Sequence, residues 1–299
     1  MGWYAVLQDS LKKEGDRIGA AMIAFLFFGA VRALMEQILP FSAATATGAV
    51  CRMAAAVLSA AVPALILRGV PFTREKGIEW TAHRAFFLIL GALAFLSMYY
   101  SVSLVWASVL EGKNWTGIPA AVFPESTAER ALFLAERVLI SSVLEEILYR
   151  RLIMGRLLPY GEWFAVTVSA TLFALAHGSL AKVVPVFLTG LALGYLYLVT
   201  GSLRACVAYH FLNNAVAVGL IRLAGAGKTD LYAEILYGLI AAGAVSILLL
   251  VFRYRGHLVR GLETERIRPG AGGILRSLPF AAATILLIMR TVTDMKAGN

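Results

Sequence analysis

Nine runs of mostly apolar residues dominate this 299-residue chain, each close to the roughly 20 residues that an α-helix needs to cross a hydrocarbon core. They fall at about 18–39, 47–67, 85–109, 131–149, 163–177, 183–200, 205–221, 232–252 and 274–290. Of all residues, 60% are hydrophobic and 15% charged, with a mean hydropathy of +0.77. A soluble domain is about half apolar and a quarter charged. The expectation is an all-α, polytopic transmembrane helical bundle of about 8–9 spans.

The net charge of +9 fits basic loops on the cytoplasmic side. No Lys/Arg-rich run with interleaved aromatics speaks for nucleic acid. Counted over the connecting segments, Lys and Arg favour a cytoplasmic N-terminus and an outer C-terminus. Arg32, Arg52 and Arg137 fall inside spans, and His83 and His257 in cytoplasmic loops. Cys51 and Cys206 sit in apolar segments and read as small core hydrophobes, with no disulfide or metal framework. The opening residues do not read as a signal peptide or a myristoylation site. Residues 111–130 read as an outer loop leading to a capped helix start at Ser126/Thr127, and 253–273 as a basic, Gly-rich loop. "GLALG" (190–194) is a GxxxG that lets a second helix approach closely.

Ionisable groups are costly inside a membrane and usually face a protein interior or a water-filled cavity. "SSVLEEILYR" (141–150) therefore stands out. Glu146 and Arg150 are four apart with the acid first, the favourable order for a helical ion pair. Glu145 is rotated by roughly 100° from its neighbour, so it points elsewhere and is either free for acid–base chemistry or, like Glu146, part of a packing salt bridge near the cytoplasmic end. Two of the four histidines lie in apolar helices. His177 shares a face with Phe173, and the segment ends in a break at Gly178; His210 shares a face with Asn214. Asn213 sits off the His210 face by roughly 60°. From the inner end of their helix, His210 and Asn214 lie about 9 and 15 Å deep. Glu145 and His177 lie about 20 and 25 Å from the turn at Pro159–Tyr160. That turn overhangs the bilayer by roughly 10 Å, which brings all four groups to a similar depth.

Glu145-Glu146-x-x-x-Arg150, Phe173-x-x-x-His177 and His210-x-x-x-Asn214 resemble, in order and on successive helices, the three motifs of the CAAX protease and bacteriocin-processing family, which includes the type II CAAX prenyl endopeptidases. The resemblance covers about residues 126–222. It implies a glutamic intramembrane endopeptidase in which Glu145 activates water and His177 helps to hold it. His210 and Asn214 would donate to the oxyanion, while Glu146, Arg150 and Phe173 support them. The chain then divides into N-terminal transmembrane helices (1–125), a catalytic core (126–222), and C-terminal helices with the basic loop (223–299), all in one membrane domain. The implied partners are the lipid bilayer and a membrane-anchored or lipidated peptide or protein substrate. No cofactor is expected. The alternative enzyme is a zinc protease with Glu145, His177 and His210 as ligands, since these are ligand types of catalytic zinc. Outside proteolysis the alternatives are a non-catalytic scaffold or bacteriocin-immunity protein, and a transporter, which would more often show repeats.

Overall fold

The computed structural model describes residues 2–38, 46–69, 81–111, 126–263 and 271–293. Among these residues the chain is helical throughout, with no strand, and forms nine helical rods. The first three are α1 (Gly2–Ile38), α2 (Ala46–Ile66) and α3 (Ala82–Glu111). The fourth runs from Thr127 to Tyr160 with changing geometry. It comprises α4 (Thr127–Leu134), a π-helical stretch Ala135–Ile140, α5 (Ser141–Glu146), a second π-helical stretch Ile147–Met154, α6 (Gly155–Leu157) and a 3-10 turn Leu158–Tyr160. Then come α7 (Glu162–Ala176), α8 (Leu180–Thr200), α9 (Leu203–Gly225), α10 (Thr229–Glu263) and α11 (Leu278–Thr293). Each overlaps one of the nine apolar runs.

Among the described residues, four helical segments are long and apolar enough to cross a membrane: α3, α8, α9 and the Thr229–Arg253 part of α10. Three shorter apolar helices accompany them, at Val50–Ile66, Glu162–Ala176 and Leu278–Thr293.

Local chemistry explains several boundaries. The Ser126 hydroxyl accepts the Glu129 amide and donates to the Glu129 carboxylate, so α4 begins at a serine N-cap. The fourth rod ends at Gly161, whose φ of 136° opens the turn into α7. At the far end of α7, Gly178 has φ +59°, and the expected break is there.

The bundle packs α7 against α8, α1 against α2 and α11, and α3 against both α8 and α10. The GxxxG expectation holds. A Cβ at Gly190 would lie 2.9 Å from the Ala170 backbone, and one at Gly194 would lie 2.9 Å from Val166. These glycines let α8 meet α7 backbone to backbone. Between these helices and the fourth rod lies the main core, which includes Tyr149, Ile153, Met154, Leu172, Phe173 and Leu193.

Polar ties bind the flanking helices to the fourth rod. Arg156 pairs with Glu14 of α1 at 2.8 Å and donates to the carbonyls of Leu67 and Arg68 beyond α2. Arg52 of α2 donates to Glu136 at 2.9 Å, with both side chains buried.

Three sequence expectations need correction. Cys206 is buried and donates to the Leu193 carbonyl, but Cys51 is exposed on α2, so it is not a core residue. Residues 253–263 continue α10 as helix where a loop was expected, because the polar residues there sit on the same rod that the apolar run begins. His83 lies in the first turn of α3, not in a loop. Residues 264–270, and most of the expected loop at 111–130, lie outside the described residues, as does the side chain of His257.

Candidate active site

The geometry of the site begins with the fourth rod. Its two π-helical stretches flank α5, which carries both glutamates. π-Helical turns shift the carbonyls out of the i→i+4 register and occur often at functional sites. Here two of those carbonyls are used by other helices. The Arg137 carbonyl accepts the Asn214 amide from α9 at 3.3 Å, and the Tyr149 carbonyl accepts the Ser169 hydroxyl from α7 at 2.7 Å.

Glu146 and Arg150 form the expected ion pair, with Nε to Oε2 at 3.0 Å and both side chains fully buried. The N–H is not aligned on that oxygen, so the contact is charge against charge and not a directed hydrogen bond. The guanidinium carbon also lies 4.6 Å from the Phe173 ring centroid, a cation–π contact.

Glu146 has a second partner that its spacing did not reveal. Its Oε1 is 2.8 Å from Nδ1 of His210, and the residues are 64 positions apart. Glu145 approaches the other nitrogen of the same ring, with Oε2 3.8 Å from Nε2. The two glutamates thus do not point to separate surroundings. They address the two nitrogens of one imidazole.

Phe173 is the hub. Its ring makes edge contacts with His177 at 4.9 Å, His210 at 5.7 Å and Tyr149 at 5.1 Å. His177 follows the last residue of α7, and its Nδ1 lies 2.8 Å from the Phe173 carbonyl, so it donates there and leaves Nε2 for other work.

A cavity of about 340 Å³ opens beside Glu145. Its wall includes Phe25 of α1, Ser59 of α2, Ser141 and Leu148 of the fourth rod, and Arg290 of α11. Glu145 is part of this wall, with its side chain 30% exposed, while its Oε2 is buried without a hydrogen-bond partner. Of the four residues expected to meet at one cavity, Glu145 is in the wall itself. His177, His210 and Asn214 are not among its wall residues: His210 reaches Glu145 from α9, and His177 shares the Phe173 ring with His210. Asn214 is turned toward the same rod, donating to Ser142 Oγ at 3.2 Å as well as to Arg137. Asn213, set aside from the helix geometry, is the more deeply buried of the two amides, and its Oδ1 has no partner.

Two further residues escaped the sequence reading. The Tyr149 hydroxyl is buried without a partner and lies within electrostatic range of Glu145 and Arg290. Arg290 itself read as an outer-end topology charge. No pattern within α11 could reveal its place, because the cavity is made by helices distant in sequence. Among the described residues, no group of three or more His, Cys, Asp or Glu side chains is set to hold a metal ion.

An all-helical bundle of apolar rods with Glu146, Arg150 and His210 buried inside it has the architecture of an integral membrane protein with a functional site in its interior. Residues 127–216 match the model of the family described as "Rce1-like: Type II CAAX prenyl endopeptidase Rce1-like". The resemblance to the CAAX protease and bacteriocin-processing family therefore holds over that stretch, which is similar to a family of proteases and contains all three motifs. No curated protein and no solved structure matches the chain.

Proposed function

We propose that this protein is a glutamic intramembrane endopeptidase that hydrolyses a peptide bond in a membrane-anchored or lipidated peptide or protein. The observation that carries this reading is the unpartnered, buried Oε2 of Glu145, at the edge of a cavity and 3.8 Å from an imidazole whose far side is held by Glu146.

In this mechanism Glu145 takes a proton from a water held with the help of His177, and the water oxygen bonds to the peptide carbonyl carbon. The tetrahedral intermediate then collapses, the C–N bond breaks, and Glu145 returns the proton to the leaving amine. His210 and Asn214 donate to the oxyanion, a contribution often worth about 3–4 kcal/mol per donor. Where Glu146 accepts a hydrogen bond from the Nδ1–H of His210, Nε2 donates only when the ring carries both protons, and that charge then faces two carboxylates. Asn214 must turn away from one of its two long bonds, at 3.2 and 3.3 Å, to reach the oxyanion. Glu146, Arg150 and Phe173 hold the imidazole and the rod in place.

Residues 126–222 form the catalytic core in this reading, and 1–125 and 223–299 complete the same membrane domain. The chain crosses the bilayer about 8–9 times from a cytoplasmic N-terminus. The test compares membrane proteomes from cells carrying the wild type or Glu145→Ala, reading newly formed protein termini. One or more termini that depend on Glu145 support the proposal. Identical profiles, together with equal turnover on a verified substrate, would end it in favour of a scaffold or immunity role.

A further inference from the structure

Among the described residues of the cavity wall there is a single cation, Arg290. It belongs to α11, well outside the stretch that matches the protease family. Its Nη1 donates to the Ala176 carbonyl at 3.4 Å, and the next residue, Thr291, donates to the Leu175 carbonyl at 3.4 Å. Both bonds fasten α11 to the last turn of α7, just before His177. Gly178 permits this approach. Its φ is +59°, and a Cβ there would lie 2.5 Å from Arg290 Nε. The guanidinium therefore rests against bare backbone at the edge of the cavity.

No carboxylate lies within ion-pair distance of Arg290 among the described residues, and it makes no other hydrogen bond among them. A guanidinium has five N–H donors in a fork that matches a carboxylate, and one long bond leaves most of them unused. A cation at such a place in a membrane bundle ordinarily has a partner. The cavity's volume corresponds to a sphere about 9 Å across, which an extended peptide crosses in about three residues. A peptide whose scissile carbonyl is beside Glu145 would hold groups up to about three residues away within the same cavity, whose wall includes Arg290.

We propose that Arg290 is a specificity-determining residue that binds a carboxylate of the substrate within about three residues of the scissile bond. The carboxylate comes from either the chain end or an acidic side chain. This rests on the placement of the scissile bond at Glu145, so binding and cleavage are measured separately.

Binding is measured by thermophoresis with the full-length, detergent-purified Glu145→Gln protein, which retains the probe uncleaved. The probes are a peptide bearing a farnesylated cysteine followed by three apolar residues and a free carboxylate, its C-terminal amide, and the amide with aspartate as last residue. The acid should bind about tenfold or more tighter than the amide, as for a hydrogen-bonded charge pair. Adding Arg290→Gln should bring the ratio to near one, whereas Arg290→Lys should keep part of it. Thr291→Val, which loosens the α11–α7 tie but keeps the guanidinium, should leave the ratio unchanged and so separates recognition from packing. Recovery of affinity by the aspartate amide assigns the site to any carboxylate, and no recovery assigns it to the chain end. A ratio near one with Arg290 present, a ratio that survives Arg290→Gln, or no binding of any probe overturns the proposal. Cleavage of the acid probe by wild type but not by Glu145→Gln tests the catalytic reading independently. An acid preference without such cleavage would leave the subsite standing and sink the mechanism.

Discussion

Arg150→Ala probes the support beneath the site. The guanidinium and the Glu146 carboxylate are both fully buried and 3.0 Å apart, and the cation also covers the Phe173 ring. Removing one member of such a pair strands the other charge, at a cost of about 3–5 kcal/mol. Glu146 would retain only His210, its partner at 2.8 Å. At about 2–4 °C per kcal/mol, the apparent Tm should fall by about 6–20 °C. The assay is unfolding in detergent, followed by intrinsic fluorescence and by the monodisperse fraction after heating. Glu146→Gln added to Arg150→Ala should recover part of the lost stability, because no bare carboxylate remains. It should not recover turnover, because His210 loses its charged partner. A fall of less than about 2 °C for the single variant, or a double variant less stable than the single, would refute the argument that this pair holds the rod.

The other expectations follow from the contacts of each residue. Glu145→Ala and His177→Ala should nearly abolish turnover with little change in Tm, since each removes a means of activating water; appreciable activity in either, measured on a verified substrate, would remove that residue from the mechanism. Asn214→Ala should lower kcat by about a hundredfold or more if it supplies an oxyanion donor. A tenfold or smaller loss, with a larger one for Asn213→Ala, would move the role to the buried neighbour. Gly178→Ala should cost about 1–2 kcal/mol for a left-handed residue and displace Arg290 as well, so it should lower both Tm and the acid-over-amide preference. Exhaustive chelation should leave the rate unchanged; loss of activity restored by zinc would favour the metalloprotease alternative.

Much of the fold was legible because its signals are local. Twenty-residue apolar runs declare membrane-length helices, whatever they later touch, and all nine became helical rods. The Glu146–Arg150 pair, the break at Gly178, the N-cap at Ser126 and the close α7–α8 approach at Gly190 and Gly194 also depend on neighbours within one helix or on the lack of a Cβ. The family's three motifs likewise marked the segment that builds the polar centre.

What helical spacing misjudged was the surroundings of the glutamates. A rotation of roughly 100° per residue separates Glu145 from Glu146 on one helix, but it says nothing of the ring that α9 inserts between them. Nor did the local pattern announce the π-helical stretches, whose displaced carbonyls are taken up by Ser169 and Asn214 from other helices. The same limit hid Glu136 as the partner of Arg52, 84 residues away, and Arg290 as part of the Glu145 cavity. An apolar periodicity records which face of a helix avoids water. It does not record which other helix covers that face, and in this protein the pairing of buried charges is decided there. The sequence alone determined a bundle of membrane helices with two glutamates, two histidines and an arginine inside it. Only the tertiary packing decided that both glutamates share His210 and that α11 places a cation in the wall of the Glu145 cavity.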